Sequence, residues 1–205
     1  MKILILGATG MIGSAITAEA ASRGHHVTAA SRSGTATASA TVMPLALDLH
    51  DVPALQDAVQ GQDVVIATAS ARKTDDPFSE TAAYAQALVD GVGDTRLIMV
   101  GGAGSLNLPD GTAIADTLPD AYRAEAQAMR RAHETILAPS VLNLTFATPP
   151  FMIQPGPRTG HYRVSDRTVP DAPYEISAED YAVALIDETE RAAHPGQIIG
   201  IFPAA

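Results

Sequence analysis

Residues 2–6, KILIL, form an apolar run behind a single lysine, the pattern of a strand covered on both faces. From Met11 the period changes. Ile12, Ile16, Ala20 and Ala21 recur at helical spacing until Arg23-Gly24, where a glycine stops a helix. Val27 to Ala30 reads as a second short strand, the small polar residues 35–41 as a loop, and 42–47 as a third strand. Asp51 is placed to cap a helix running through Val59. DVVIATA (63–69) is a fourth buried strand, and a long loop through Lys73 and Pro77 leads to a helix over 80–90. RLIMV (96–100) is the fifth strand and ends in Gly101-Gly102.

The pattern then predicts a long helix from Pro119 to Leu137 and a sixth strand, LNLTFA, at 142–147. After Pro149-Pro150 the rhythm breaks. Residues 151–175 carry four prolines and one short strand at His161 to Val164. Ser177-Ala178-Glu179-Asp180 reads as a capping box that opens a helix to Arg191, and QIIGIF (197–202) supplies a last strand. Strands alternating with helices imply right-handed crossovers and a parallel sheet. The expected fold is therefore α/β, a doubly wound parallel sheet in three αβα layers. It is expected to be a single domain over 1–205, with 148–205 forming part of the substrate cleft.

Composition narrows the function classes. With 46% hydrophobic and 18% charged residues, the 205-residue chain has the balance of a globular protein. No apolar stretch reaches the roughly eighteen residues of a membrane-spanning helix. The N-terminus enters a strand without a signal region, so the expected location is the cytoplasm. The absence of cysteine excludes disulfides, thiolate catalysis and cysteine metal sites. A net charge of −10 repels phosphate backbones, which argues against nucleic acid as a partner. An anionic ligand has to be caught by a few aimed donors.

GATGMIG (7–13) supplies such donors. Gly7, Gly10 and Gly13 follow a buried strand and open a helix within a βαβ unit, the context that a dinucleotide-binding loop requires. The first glycine permits the tight turn, the second lets pyrophosphate approach, and the third packs helix on sheet. Thr9, Met11 and Ile12 share the loop and the first helical turn, whose amides and dipole favour an anion. The alternative is a glycine-rich turn with no ligand. A Gly-Lys-Ser/Thr sequence is missing, which excludes a P-loop.

The end of the second strand bears on which dinucleotide is bound. NAD enzymes place an acid about twenty residues past the loop to hold the ribose hydroxyls. Here no acid occurs between Glu19 and Asp48, and the strand ends Ala30-Ser31-Arg32-Ser33. A guanidinium and hydroxyls suit a 2′-phosphate, so NADP(H) is expected over NAD(H), unless Arg32 is only a solvated loop residue. Asp48-Leu49 after the third strand would approach the adenine, and Ala69-Ser70 after the fourth would line the ribose. Both pairs also make sense as plain strand ends.

GATGMIG (7–13), Asp48-Leu49, VGGAGSL (100–106), TPP (148–150) and ISAEDYAVALID (176–187) together resemble the short, atypical short-chain dehydrogenase/reductases. The third and fifth stretches are similar to bacterial NADH-flavin reductases and NAD(P)H-binding oxidoreductases. Flavin/biliverdin reductase and nitrogen-regulator-like NADP sensors are more distant. The resemblance implies a nicotinamide near the ends of strands four to six, where Gly101, Thr148 and Pro149 stand. It also implies a small-molecule acceptor as the partner of a monomer or homodimer. Phe151 and Met152, on a wall stiffened by Pro149-Pro150, offer polarizable apolar surface to a flat acceptor, or else form a hydrophobic lid.

The chain departs from the family over catalysis. Family members use Tyr-x-x-x-Lys, but lysine occurs here only at 2 and 73, and Tyr122 is followed four residues later by Ala126. Tyr122 beside Arg123, and Ser105 in the loop after strand five, are the candidate substitutes; a helix-start aromatic and a turn serine are the plain alternatives. If neither acts, hydride transfer to a flavin or quinone still needs only positioning. The leading expectation is thus an NADPH-dependent oxidoreductase for small planar acceptors such as flavins, quinones or related carbonyls. The alternative is a non-catalytic NADP(H) sensor. No metal-ligand spacing occurs, and His133, His161, Glu188 and Glu190 read as surface residues.

Overall fold

A computed structural model describes residues 1–35, 39–69, 75–171 and 174–204. The strands are β1 (Lys2–Leu6), β2 (His26–Ser31), β3 (Val42–Ala46), β4 (Val64–Ala67), β5 (Arg96–Val100), β6 (Leu144–Thr148), β7 (Met152–Gln154), β8 (Tyr162–Ser165), β9 (Glu175–Ser177) and β10 (Ile198–Pro203). The α-helices are α1 (Met11–Ser22), α2 (Val52–Val59), α3 (Pro77–Val92), α4 (Ile114–Thr117), α5 (Asp120–Ala132) and α6 (Ala178–Arg191). The main sheet runs β3-β2-β1-β4-β5-β6-β10-β8 and is parallel except for β8, which pairs antiparallel with β10 at the edge. This is the doubly wound Rossmann order, with its switch point between β1 and β4.

The alternation within β1 shows why both faces are covered. Ile3 and Ile5 point into a core built with Ile16 and Ala20 of α1 and Tyr181, Leu185 and Ile186 of α6. Leu4 and Leu6 point the other way, onto Leu55 of α2, Leu88 of α3 and Met129 of α5. The two cores make the three layers. Each fully buried leucine or isoleucine adds about 1.5–3 kcal/mol. Tyr181 is buried in the first core, and its hydroxyl donates to the Ala147 carbonyl at 2.8 Å, which ties α6 to β6.

Two caps agree with the sequence: Asp51 accepts from the Ala54 amide at 3.2 Å and Ser177 from the Asp180 amide at 3.0 Å. The helix expected over 80–90 instead begins at Pro77, capped by Asp76, which accepts from the Ser79 amide at 3.1 Å, and runs to Val92. The predicted helix to Leu137 instead leaves α geometry after Ala132 and finishes in a π turn, His133–Leu137. Residues 151–175, read from sequence as nearly structureless, contribute β7, which pairs with β9 as a separate two-stranded sheet. Three residues are too few to show a strand period.

Several residues expected at the surface lie inside. Glu188 is buried, ion-paired with Arg96 at 2.5 Å and bonded to His194. His133 is buried with its ring 4.4 Å from that of Phe146. Neither burial could be read from periodicity, because each depends on a strand distant in sequence. Among the described residues, no helix is long and apolar enough to cross a membrane.

Candidate functional site

A cavity of about 620 Å³ opens at the switch point, over the carboxyl ends of β1, β2 and β4. Its floor is the glycine loop. Gly7 has φ +87°, a conformation open to glycine, and a Cβ there would stand 2.7 Å from Thr68 Oγ1. The Gly7 and Ala8 amides both donate to the Ala30 carbonyl, at 2.9 and 3.0 Å, anchoring the loop to β2. A Cβ on Gly13 would come within 2.1 Å of the Gly7 carbonyl, so α1 can lie this close to the turn only with glycine there. Gly10 differs. Its backbone is ordinary, and a Cβ would meet only the Gly7 carbonyl at 3.4 Å. The fold does not demand glycine at position 10, which leaves the cavity as the reason for it.

The Ser14 amide makes the first intrahelical bond of α1, to the Gly10 carbonyl. Met11, Ile12 and Gly13 precede it, all three line the cavity, and the first turn carries no acid. Free helix-start amides without a competing carboxylate make a pyrophosphate seat. The residues present therefore fit a dinucleotide.

At the end of β2, Ser31 is buried and its Oγ accepts from the Gly34 amide at 3.0 Å, bracing the turn that carries Arg32. Arg32 lines the cavity, is exposed, and has no ion pair among the described residues. Asp48 and Leu49 also line it, with Asp48 Oδ1 accepting from the His50 amide at 3.0 Å. Ala69 lines the far wall; Ser70 lies outside the described residues. Of the residues expected from sequence, the structure therefore assembles Gly7, Thr9, Gly10, Met11, Ile12, Gly13, Ser31, Arg32, Asp48, Leu49 and Ala69 around one cavity.

The remaining candidates lie elsewhere. Gly101 and Pro149 follow β5 and β6, Thr148 closes β6, Phe151 precedes β7 and Met152 opens it, and all five are outside the cavity lining. Thr148 is buried and its hydroxyl donates to the Ile199 carbonyl at 2.7 Å. A Cβ on Gly101 would come within 2.3 Å of the Phe146 ring. Packing thus explains both residues without a ligand. Ser105 is fully buried, so its hydroxyl does not open onto the cleft; among the described residues that hydroxyl has no hydrogen-bond partner, and the Ser105 carbonyl accepts from Arg167 at 3.0 Å. Tyr122 is 65% exposed at the start of α5. Arg123 beside it donates to the Leu118 carbonyl and pairs with Asp120, so its charge is held at the helix start. Phe151 and Met152 are exposed, with Phe151 edge-on to Tyr174 at 5.8 Å.

Sequence reasoning missed Thr68, His50, Glu80 and Tyr84 as cavity residues. Thr68 stood inside a quoted strand, and its signal was the polar residue closing an apolar run. Glu80 and Tyr84 are one helical turn apart, but only the crossing of α3 over β4 brings them to the wall. No group of three or more His, Asp or Glu among the described residues could hold a metal ion.

A family model described as NAD(P)H-binding matches residues 7–191. The uncharacterized protein YwnB of Bacillus subtilis (strain 168) is 32% identical over 205 residues, covering 96% of each chain. A crystal structure from Burkholderia pseudomallei, of a protein provisionally named as exported, is 41% identical. It superposes with a TM-score of 0.86 over 98% of this chain and 99% of that one. A Streptococcus pneumoniae structure, provisionally named an NADH-flavin reductase, is 29% identical with a TM-score of 0.88 over 99% of each chain.

Proposed function

Because the chain belongs to the NAD(P)H-binding family, we propose that it is an NADPH-dependent oxidoreductase passing a hydride to a small planar acceptor, a flavin, quinone or related carbonyl. The observation that carries the cofactor choice is Arg32, a guanidinium with no ion pair among the described residues, at the strand end where NAD enzymes place an acid. The name of the Streptococcus relative specifies NADH, so the preference for the phosphorylated form rests on Arg32 alone. That same name supports a flavin-like acceptor, and the exposed Phe151 and Met152 offer the apolar surface such a ring needs.

When bound, the dinucleotide supplies the hydride. The chain's own residues hold it: the α1 amides take the pyrophosphate, Arg32 the 2′-phosphate, and Asp48 and Leu49 the adenosine half. Neither Tyr122 nor Ser105, the donors expected from sequence, lines the cavity, which suits flavins and quinones that solvent can protonate. The acidic surface makes nucleic acid an unfavourable partner, and a monomer or homodimer working in the cytoplasm, where NADPH is supplied, fits this reading.

The position of Tyr122 and Ser105 outside the cavity favours one second reading, an NADP(H) sensor that binds without turnover. Steady-state NADPH oxidation with flavins, quinones and aldehydes separates the two. Turnover of flavins or quinones, kept in Tyr122→Phe, is the expected result. Tight NADPH binding with no turnover on any acceptor would instead establish the sensor.

A further inference from the structure

Phe151, Met152 and Tyr174 are 43%, 54% and 40% exposed, and the fold gathers them in one place. The Phe151 and Tyr174 rings stand perpendicular with their centroids 5.8 Å apart, and the Met152 amide donates to the Tyr174 carbonyl at 3.1 Å. Ile176 is buried in the first core and Ile153 packs against it, which fixes the β7–β9 sheet from beneath and leaves Met152 on its outer side. Single exposed apolar side chains are ordinary, whereas a group of three marks a surface that something covers. The position of the patch bears on what that is. With the adenosine half of the dinucleotide at Arg32 and Asp48 and pyrophosphate on α1, the other half runs across β4 toward β5 and β6. Phe151 stands three residues past the end of β6, and β6 lies two strands, about 10 Å, beyond β4.

We propose that Tyr174 completes the acceptor site with Phe151 and Met152, and that the acceptor is an uncharged flat ring bearing a carbonyl, an inference that rests on the reductase reading above. In a perpendicular pair one ring keeps both faces clear of its partner, so a flat heterocycle can stack on it. The Tyr174 hydroxyl has no hydrogen-bond partner among the described residues, and a phenol donates to the carbonyl that flavins and quinones share. Charge sets the class. Among the residues of β7 and β9 Glu175 alone is charged, and its carboxylate accepts from the Gln154 side-chain amide. A phosphate-bearing acceptor would meet that carboxylate and the field of a chain with net charge −10, so riboflavin or a quinone is favoured over flavin mononucleotide.

Riboflavin and flavin mononucleotide are the probes, titrated against the protein in saturating NADP+ and followed by quenching of their fluorescence. Wild type should bind riboflavin about threefold or more tightly than flavin mononucleotide. Phe151→Ala should weaken riboflavin about tenfold, and Phe151→Leu, which keeps apolar volume without an aromatic face, about threefold. Tyr174→Phe preserves the ring pair and should cost about fivefold, the loss of one hydrogen bond. In steady-state NADPH oxidation these losses should fall on the KM for riboflavin, while each variant keeps the wild-type dissociation constant for NADPH. Riboflavin binding that all three variants retain would overturn the proposal, and so would tighter binding of flavin mononucleotide than of riboflavin. Substitutions that split a homodimer in light scattering yet leave riboflavin affinity intact would make the patch a contact between copies, which also overturns it. NADPH binding by wild type with neither binding nor turnover of any flavin or quinone would overturn the reductase reading itself, an outcome told apart because it needs no variant.

Discussion

Arg32 and Gly10 are single residues whose identity the fold itself does not require. Arg32 lines the cavity, and its removal breaks no side-chain hydrogen bond or ion pair among the described residues. Arg32→Ala should weaken NADPH by about 1.5–3 kcal/mol, the scale of a charge-assisted bond, and leave NADH nearly unchanged. Titration of cofactor fluorescence checks this, and equal losses for both dinucleotides would remove Arg32 from phosphate reading. Gly10 and Gly13 make a matched pair. Gly10→Val finds room in the free protein and should cost the fold about 1 kcal/mol or less, yet abolish dinucleotide binding because its side chain takes pyrophosphate space. Gly13→Val would force its Cβ against the Gly7 carbonyl and should lower the melting temperature sharply. A Gly10→Val protein of normal affinity would contradict the placement of the cofactor.

At the scale of elements, what could be read from sequence was what short-range chemistry decides. KILIL declared a doubly covered strand because both of its faces are apolar, and the Asp51 and Ser177 caps were visible as side chains ahead of apolar periods. The last residue of the predicted capping box behaves differently. Asp180 is buried, and its carboxylate accepts from the Thr159 and Gly160 amides and the Thr159 hydroxyl, so it holds the 156–160 loop onto α6. That use depends on a contact twenty residues away and leaves no local trace. The same holds at the site. The glycine loop and Arg32 are contiguous with the strands that present them, whereas Glu80 and Tyr84 reach the cavity only through the crossover of α3. Tyr122 shows the converse: its place after strand five matched the family, and only the structure shows that it stands exposed at the start of α5.

The whole molecule is fastened by buried charges that make it sensitive to acid. Glu19 on α1 pairs with Arg158 at 2.6 Å and Arg23 at 2.8 Å, which joins the dinucleotide-binding helix to the segment after β7. Arg23 continues to Asp187 on α6, and Arg96 joins β5 to Glu188. The Arg158 bond is the main cause holding Glu19 below the ordinary carboxylate value. Burial pushes Asp187 and Glu188 up, but bonds from Tyr162 and Arg23, and from His194, outweigh it. These depressed carboxylates stabilise the fold at neutral pH, and their contribution fades as pH falls below about 4.5. His133 acts earlier. Burial, assisted by Arg167, lowers its imidazole from 6.5 to about 4, so it stays neutral in the fold while the unfolded chain takes up a proton. As pH falls from about 6.5 to about 4, the unfolded state gains that proton first, and the fold loses up to about 3 kcal/mol. His133→Phe keeps an aromatic ring against Phe146 and removes the proton site. Urea unfolding across this range should show wild type losing stability well before the carboxylates titrate, and His133→Phe holding level until they do. Parallel curves for the two proteins would mean that His133 is not the early acid-sensitive group.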